Sequence, residues 1–443
     1  MTKSSLGQTA KTQLINRFLS KKVGSDGKAA ALPASRGVSR SNVPEAFYRF
    51  DRHPGYEKML VPKAAANRLG IINPFFKVHD GVAGATTRID GREYLNFSSY
   101  NYLGLSGHPA INRAAKDAID RYGTSASASR LVAGERLIQR ELEEALAELY
   151  EVEDCIVFVS GHATNVSTIG YLFGPKDLVI HDSLIHNSVL EGVKLSGSAR
   201  RSFLHNDTAA LDGILAEIRG QFERVLIVVE GHYSMDGDVP DLSKLIEIKR
   251  RHKAFLMVDE AHALGVLGET GKGSHEHHGI AGKDVDIWMG TLSKTLAGCG
   301  GYIAGERALV EHLKYAAPGF VYSVGMSPPL AAASLEALRI MHKEPERVVR
   351  LRERSCRFLD QARQADIDTG FSQGFAVIPA IIGSSLKAVK LSSRLFEQGI
   401  NVQPIIYPAV EERTARLRFF MCAMHTERDV VRAVEAMRKG LSI

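Results

Sequence analysis

The chain has 443 residues, of which 44% are hydrophobic and 24% charged, a composition typical of a globular protein with a large core. No apolar run approaches the roughly 20 residues of a membrane helix, and no apolar segment resembling a secretory signal follows the first charges. The four cysteines lack the pair spacing of disulfide or metal sites, so we expect a cytoplasmic protein without a bound metal.

The net charge of +6 is concentrated in residues 1–44, where eight basic side chains face one acidic side chain. This tail carries about +7, leaving about −1 for the rest of the chain. Its Ser, Gly, Ala and Lys content predicts a largely disordered segment. Within it, Leu14, Ile15, Phe18 and Leu19 share one face of a predicted short amphipathic helix. That helix would either pack on the body or dock on an acidic partner; we expect no nucleic-acid partner.

Residues 45–105 form a predicted amino-terminal segment. After an aromatic and basic start, residues 81–91 predict strands with a tight turn at Asp90 and Gly91. The polar, tyrosine-rich stretch that contains Asn101 suits a loop beside a pocket, or ordinary packing at a domain edge.

Residues 106–325 form a predicted large domain in which buried strands alternate with helices. The predicted strands are 155–160, 178–182, 225–231, 254–259, 286–289 and 300–305. Apolar strands separated by helices predict a mostly parallel sheet covered on both faces, the α/β class. Residues 326–443 predict a smaller α+β domain, with helices at 330–341, 346–366 and 426–439 and strands at 375–382 and 415–421.

Lys294 follows the buried strand 286–289 within a few residues. Desolvation at such a place favours the neutral amine, which is the nucleophile that Schiff-base chemistry needs. Taken alone, the residue is more simply explained as a surface lysine in a polar loop.

Asp259 ends the strand 254–259, and His262 follows three residues later. A buried aspartate needs a cationic partner, either a core salt bridge or the protonated pyridine nitrogen of pyridoxal phosphate. Because Asp259 and Lys294 both end apolar strands, the pattern favours pyridoxal 5'-phosphate held between them.

Two further strand ends suit the same cofactor. Ser160 and Gly161 join a strand to a helix predicted from about Thr164, and a helix amino terminus there is an anion site for the phosphate. His186 lies where strand 178–182 gives way to a helix, so it either points at the ligand crevice or caps the helix.

From about residue 95 onward, an ordered set of motifs resembles the α-oxoamine synthases, a branch of the fold-type I pyridoxal phosphate enzymes that includes 8-amino-7-oxononanoate synthase, 2-amino-3-ketobutyrate CoA ligase and serine palmitoyltransferase. The motifs lie at 101–105, 129–130, 160–161, 186, 233–237, 259–262, 290–294, 323–329, 415–418 and 425. The resemblance implies a large domain built on a seven-stranded type of sheet and a smaller carboxyl-terminal domain.

The resemblance also implies roles for individual residues. Lys294 holds the cofactor and later moves the substrate's α proton, Asp259 pairs with the pyridinium, and His262 bonds the phenolic oxygen. The remaining implied contacts are His186 on the ring face, Ser234 near the cofactor, Ser160, Gly161, His162 and Thr291 at the phosphate, Ser323 from the second subunit of a homodimer, Arg418 on the amino acid carboxylate, and Asn101 at the substrate site.

The implied reaction is a decarboxylative Claisen-type condensation of glycine, alanine or serine with an acyl thioester, giving an α-aminoketone. The long amino-terminal segment, about the first 90 residues, and the sequence 161–165 resemble synthase units of polyketide or prodiginine-type assembly lines. Those units take acyl groups from acyl carrier protein. Such carriers are acidic, which suits the basic tail.

The sequence departs from the family in two places, and rival functions remain open. His162 stands where the family usually has an aromatic residue, and loop 123–129 carries added methyl groups. The rivals are a synthase that uses acyl coenzyme A, an aminotransferase of the same fold, and a cofactor-free binding module.

Overall fold

The computed structural model describes residues 43–68 and 73–441. The predicted disordered tail and its amphipathic helix with Leu14 and Phe18 lie outside the described residues. The chain divides into two compact units, Met1–Ile71 and Ile72–Ile443. In the first unit, two short 3-10 helices, Glu45–Phe47 and Phe50–Arg52, precede helix α1, Pro54–Arg68.

The second unit begins with three short strands, whose bounds are β1 His79–Asp80, β2 Thr86–Ile89 and β3 Arg92–Asn96. Strands β2 and β3 form the predicted hairpin, and Asp90 and Gly91 have the positive φ angles of 50° and 76° that its tight turn requires.

A seven-stranded sheet forms the centre of this unit. Its strands are β4 Asp154–Phe158, β5 Leu178–Asp182, β6 Ala199–Phe203, β7 Val225–Glu230, β8 Phe255–Asp259, β9 Ile287–Thr291 and β10 Gly301–Gly305. Their order is β4-β10-β9-β8-β7-β5-β6. Strand β10 is antiparallel to both neighbours, and the strands from β9 to β6 are parallel. The prediction of a mostly parallel, seven-stranded α/β sheet is confirmed.

Alternating residues of the central strands enter two different hydrophobic cores. In β7, Val225, Ile227 and Val229 join one core, while Leu226 and Val228 join the other. Successive side chains of a strand point to opposite faces, so both faces of this sheet are covered by helices. The helices are α2 Pro109–Tyr122, α3 Leu137–Tyr150, α4 Gly161–Leu172, α5 Asn187–Ser196, α6 Thr208–Ile218, α7 Leu242–His252, α8 Ser274–His278, α9 Arg307–Ala316 and α10 Pro318–Val321.

Two parts of the large domain differ from the sequence-based expectation. Helix α4 begins at Gly161 rather than near residue 164, because the Ser160 hydroxyl accepts a hydrogen bond from the Ala163 amide at 3.4 Å and caps the helix. Strand β6 was not predicted, since this edge strand exposes Arg200 and Arg201 and has no apolar run.

The remaining residues form helices around a small sheet. The elements are α11 Pro328–Lys343, α12 Glu346–Gln364, β11 Val377–Ile381, α13 Ser385–Glu397, β12 Ile400–Asn401, β13 Gln403–Ile405, β14 Arg416–Phe420 and α14 Glu427–Leu441. Strands β11, β14 and β13 make an antiparallel sheet in that order. Strand β12 instead pairs in parallel with β3, which the sequence did not predict. No helix in the described ranges is both long and apolar enough to cross a membrane.

Candidate active site

Three neighbouring strands of the large sheet end at one place. The register pairs Glu230 of β7 with Asp259 of β8, and Asp259 with Met289 of β9. Lys294 follows the last residue of β9, Thr291, by three positions. The carboxyl ends of parallel strands share one edge of the sheet, which is where ligands bind in open α/β folds.

These strand ends open into two cavities that share Lys294. The smaller cavity, about 90 Å³, is lined by Gly161, His162, Asn165, His186, Ser188, Glu230, Asp259, Ala261, His262, Met289, Thr291 and Lys294. The larger, about 360 Å³, is lined on its polar side by Asn101, Ser98, Ser99 and Ser293. The amine thus stands between two spaces, each lined by polar side chains.

Lys294 has the electrostatics of a nucleophilic amine. Burial lowers its pKa to about 8, although the charge of Asp259 acts in the opposite direction. Its Nζ atom lies 5.5 Å from the centroid of the Tyr100 ring. At neutral pH this amine is therefore much easier to deprotonate than an exposed lysine.

Asp259 is a buried carboxylate, 3% exposed. It accepts hydrogen bonds from the Asn165 side-chain amide at 2.9 Å and from the Ala261 amide at 3.0 Å. Among residues 43–68 and 73–441, no salt bridge neutralises it. The core salt bridge that was the alternative from sequence is therefore absent there, and the carboxylate is available to a cationic ligand.

His186 lies at the rim of the smaller cavity. Its Nδ1 is 2.7 Å from the Ser188 hydroxyl and accepts a hydrogen bond from the Ser188 amide at 3.3 Å. Desolvation of the ring lowers its pKa. The two interpretations from sequence are therefore compatible, because one histidine both caps α5 and lines the cavity.

His262 is buried against aromatic side chains. Its Nδ1 lies 2.6 Å from the Tyr102 hydroxyl, and its ring is nearly parallel to Phe420 with centroids 6.2 Å apart. Burial lowers its pKa well below the usual value. The imidazole is therefore neutral and its orientation is set by Tyr102.

Arg418 belongs to strand β14 of the small sheet and contacts Ser234, in the turn that follows β7. Its Nη1 donates to the Ser234 carbonyl at 3.0 Å, and its guanidinium lies 4.5 Å from the centroid of Phe420. Its Nε is buried without a partner among the described residues. A half-buried guanidinium whose Nε lacks a partner in this part of the chain suits a carboxylate ligand.

The residues predicted to bind phosphate surround the amino terminus of α4. The Thr291 hydroxyl donates to the Gly300 carbonyl at 2.9 Å. A Cβ atom at Gly161 would lie 2.9 Å from that same hydroxyl oxygen, so only glycine allows this approach. Ser160 caps the helix, and the exposed His162 lines the cavity. A helix amino terminus attracts anions, so the start of α4 at Gly161 beside this cavity suits a phosphate group.

Five predicted site residues are not among those that line the smaller cavity: Asn101, Ser160, Ser234, Ser323 and Arg418. Asn101 lines the larger cavity, but its amide is engaged: it donates to the Ala83 carbonyl and accepts from the Ser106 amide, both at 3.1 Å. Ser323 lines a separate small cavity with Arg130, away from the Lys294 of its own chain.

Known proteins resemble this chain along most of its length. Residues 92–437 match a family profile described as aminotransferase class I and II. The chain is 41% identical over 351 residues to an 8-amino-7-oxononanoate synthase of Symbiobacterium thermophilum, covering 79% of this chain and 89% of the relative. It is 41% identical over 361 residues to that of Geobacter sulfurreducens, covering 81% and 92%.

Solved structures agree. A serine palmitoyltransferase of Sphingomonas wittichii superposes with a TM-score of 0.83 at 28% identity, covering 87% of this chain and 97% of that one. An 8-amino-7-oxononanoate synthase of Francisella tularensis superposes with a TM-score of 0.68 at 25% identity, covering 79% and 98%.

The chain belongs to the α-oxoamine synthases. Its fold is that of the fold-type I pyridoxal phosphate transferases, and it is a pyridoxal phosphate-dependent acyltransferase that forms a carbon–carbon bond. The predictions of family, fold class, enzyme class and cofactor are confirmed. The rival interpretations as an aminotransferase or as a cofactor-free module are not adopted.

The site of this synthase fits the cofactor by its own chemistry. A desolvated amine at Lys294 and an unpaired buried carboxylate at Asp259 line one cavity. The Asn165 side-chain oxygen and one oxygen of Glu230 are buried there without partners among the described residues. A polar ligand in the cavity would supply the hydrogen-bond partners that these two oxygens lack.

Sequence reasoning missed three polar residues of the synthase cavity, Asn165, Ser188 and Glu230. Asn165 donates to both Asp259 and Ser188, at 2.9 Å each, and so orients the aspartate. Nothing local to its helix predicted that role. Glu230 had a usable signal, because it ends an apolar run just as Asp259 does.

Proposed function

We propose that this synthase condenses glycine, alanine or serine with an acyl group carried on acyl carrier protein, releasing carbon dioxide and an α-aminoketone. The observation that carries the proposal is that Lys294 and Asp259 line one pocket, while a second cavity of about 360 Å³ reaches the same lysine. The charge of Arg418 lies close enough to lower the pKa of Lys294. Lys294 would supply the amine, Asp259 the fixed negative charge and Arg418 the binding site for the amino acid carboxylate. The second cavity would leave room for the acyl substrate.

Each residue has a physical role in holding the cofactor. Lys294 would bind it covalently, Asp259 would pair with its ring nitrogen, and His262 would hydrogen-bond its phenolic oxygen. His186 would cover the ring face, and Ser234 would lie near it; Ser160, Gly161, His162 and Thr291 would hold the phosphate. When bound, pyridoxal phosphate supplies an electron-accepting ring that stabilises negative charge at the substrate α carbon.

The chain's own groups would position the amino acid. The Arg418 guanidinium, anchored on the Ser234 carbonyl, presents further donors to a carboxylate. The Lys294 amine, with its pKa near 8, would accept the α proton and return it at neutral pH. Asn101 would line the path of the substrate, with its amide held in place by Ala83 and Ser106.

The acyl donor and the assembly belong to the same proposal. The tail of about +7 would attract an acidic carrier protein, a pairing that accelerates encounter and weakens with salt. The enzyme would work as a cytoplasmic homodimer in which Ser323 of the second subunit contributes to the cofactor site. The predicted boundaries, 1–44, 45–105, 106–325 and 326–443, remain the proposed domain organisation.

The deciding experiment offers each amino acid with each type of thioester. Purified enzyme is mixed with glycine, alanine or serine and with one acyl group on either acyl carrier protein or coenzyme A. Carbon dioxide release and the mass of the product ketone are measured. We expect one amino acid to dominate and the carrier-bound acyl group to give at least tenfold higher kcat/KM; equal rates from coenzyme A would contradict the carrier assignment.

A truncation then tests the tail. A chain beginning at residue 43 should keep its rate with acyl coenzyme A but lose about tenfold in kcat/KM with the carrier at low salt. The loss should shrink as salt is raised, because the attraction is between exposed charges. Equal kcat/KM for both chains at every salt concentration would rule out the tail as the docking element.

A further inference from the structure

Glu230 is a second carboxyl group in the Asp259 pocket. It is the last residue of β7 and pairs in register with Asp259 on β8. Its side chain is 3% exposed and lines the smaller cavity together with Asp259 and Lys294. A residue at this position is within reach of whatever occupies the space between those two groups.

The two oxygens of Glu230 have different environments. Oε2 accepts a hydrogen bond from the Ser234 amide at 2.9 Å. Oε1 is buried and has no hydrogen-bond partner among the described residues. A buried oxygen without a partner is costly, and the cost is smaller if the group carries a proton that can be donated to a bound ligand.

The surrounding charges favour that protonated form. Burial is the largest cause of a pKa of about 8 for Glu230, and the charges of Asp259 and Asp182 contribute to the same rise. The Ser234 amide and the Lys294 amine act in the opposite direction but are outweighed. Two carboxyl groups at neighbouring strand ends do not both ionise easily, and Asp259 is the one with two hydrogen-bond donors.

A short turn connects Glu230 to the arginine of the small sheet. The Ser234 amide donates to Glu230, and the Ser234 carbonyl accepts from Arg418 at 3.0 Å. Ser234 is buried, so loss of the glutamate acceptor would leave its amide unpaired away from water. Hydrogen bonds therefore link Glu230 to Arg418 through one residue, Ser234.

We propose that Glu230 is a positioning residue of the condensation: as a neutral acid it leaves Asp259 the single negative charge lining the cavity, and its Oε2 holds the Ser234 turn against Arg418. This inference rests on the proposed function in one respect, that Arg418 binds the amino acid carboxylate. The charge state of Glu230 does not depend on which substrate is used.

The first test measures that charge state without turnover. An infrared difference spectrum between the cofactor-free wild type and Glu230→Gln at pH 7 should contain the carbonyl band of one protonated carboxyl group. In the cofactor-loaded enzymes, the pH midpoint of the visible absorbance of the lysine-bound cofactor should be the same in both proteins. A carboxylate band, or a midpoint displaced by a full pH unit, would show that Glu230 is ionised and would overturn the proposal.

The second test measures the link to Arg418. The amino acid is titrated into the loaded enzyme without thioester, and its dissociation constant is read from the change in visible absorbance. Glu230→Gln keeps an acceptor oxygen and should bind within about twofold of wild type, whereas Glu230→Ala should bind about tenfold more weakly because the Ser234 amide is left unpaired. Equal affinities for the two variants would refute the positioning role.

A matched control is available directly after the neighbouring strand, β8. Glu260 is likewise buried with a raised pKa of about 7, but it accepts from the Ser274 amide and does not line the cavity. Glu260→Gln should leave the amino acid dissociation constant unchanged. If the proposed substrates are wrong, no amino acid will bind to any variant, while the infrared and pH results for Glu230 will still stand or fall on their own.

Discussion

Two of the buried charge clusters in the described part of the chain differ in how completely their hydrogen bonds and ion pairs are satisfied. Beneath α3, Arg130 donates to both oxygens of Glu135 and of Glu143, and the Glu143 carboxylate also accepts from the Val157 amide at 2.9 Å. At the carboxyl edge of the same sheet, Asp259 has no ion pair among the described residues. Glu230 there has an unpartnered oxygen.

The difference separates a structural charge cluster from a binding one. The Arg130 cluster is complete within the chain, so its free energy belongs to folding. The pocket cluster leaves a negative charge, an amine with a lowered pKa and free acceptor atoms in a cavity, so its missing interactions are available to a ligand. Variants in the first cluster should therefore change stability, and variants in the second should change cofactor chemistry.

The largest effect is expected at Lys294. Lys294→Ala removes the amine that would hold the cofactor, so the visible absorbance of the lysine-bound form should disappear and turnover should fall by at least about 10³-fold. Absorbance spectra and the ketone assay measure both. Lys283→Ala, an exposed lysine just before β9, is the control and should retain spectrum and rate; an unchanged spectrum in Lys294→Ala would exclude this lysine.

Next is Arg130, in the structural cluster. Arg130→Met leaves the buried Glu143 without its main partner, so the free energy of unfolding should fall by about 3–5 kcal/mol while the cofactor spectrum of the folded enzyme is retained. Chemical denaturation measures the change. Lys176→Met, which breaks the exposed pair with Glu223, should leave stability unaltered. If Arg130→Met lost cofactor absorbance without losing stability, the Arg130 cluster would be a binding cluster and not a structural one.

Asp259→Asn should lower turnover rather than stability, the opposite of the expectation for Arg130→Met. The amide preserves shape but removes the negative charge, so turnover should drop by roughly a hundredfold while the denaturation midpoint changes little. The control is Asp284→Asn. Asp284 forms an ion pair with Arg250 and precedes the first residue of β9, at the end of the strand away from Lys294, so this variant should stay within twofold of the wild-type rate. Full turnover by Asp259→Asn would show that this carboxylate is not the electrostatic partner of the cofactor.

The smallest effect concerns His205, which lies between the buried carboxylates of Asp182 and Asp238. Burial lowers the pKa of His205, but hydrogen bonds to Asp182 and Asp238 outweigh it and raise the pKa to about 10 from an ordinary value of 6.5. A raised folded-state pKa stabilises fully below pH 6.5, and the benefit is lost as the pH rises from 6.5 to 10.

The stability of the wild type should therefore decline across that range relative to His205→Asn, which carries no titrating ring. Denaturation midpoints at half-unit pH intervals provide the measurement. Parallel pH curves for the two proteins would mean that His205 is neutral when folded.

Much of the large sheet and part of the active site could be predicted from local sequence patterns. Apolar runs of five or six residues separated by helices gave the strands of the large sheet, except for β6, whose basic edge has no such run. A charged residue at the end of a buried run singled out Asp259 and Lys294, because desolvation acts on these groups whatever the topology. The same rule would have found Glu230, had it been applied to every strand end.

The sequence by itself determined the element types, the family motifs and the two groups that chemistry requires at strand ends. Only the tertiary structure decided which side chains meet: Asn165 with Asp259, Tyr102 with His262, and Arg418 with the Ser234 turn. Those pairs lie 94, 160 and 184 residues apart along the chain. Hydrophobic periodicity is a local property, whereas a hydrogen bond between distant segments depends on strand order and register, which only folding sets.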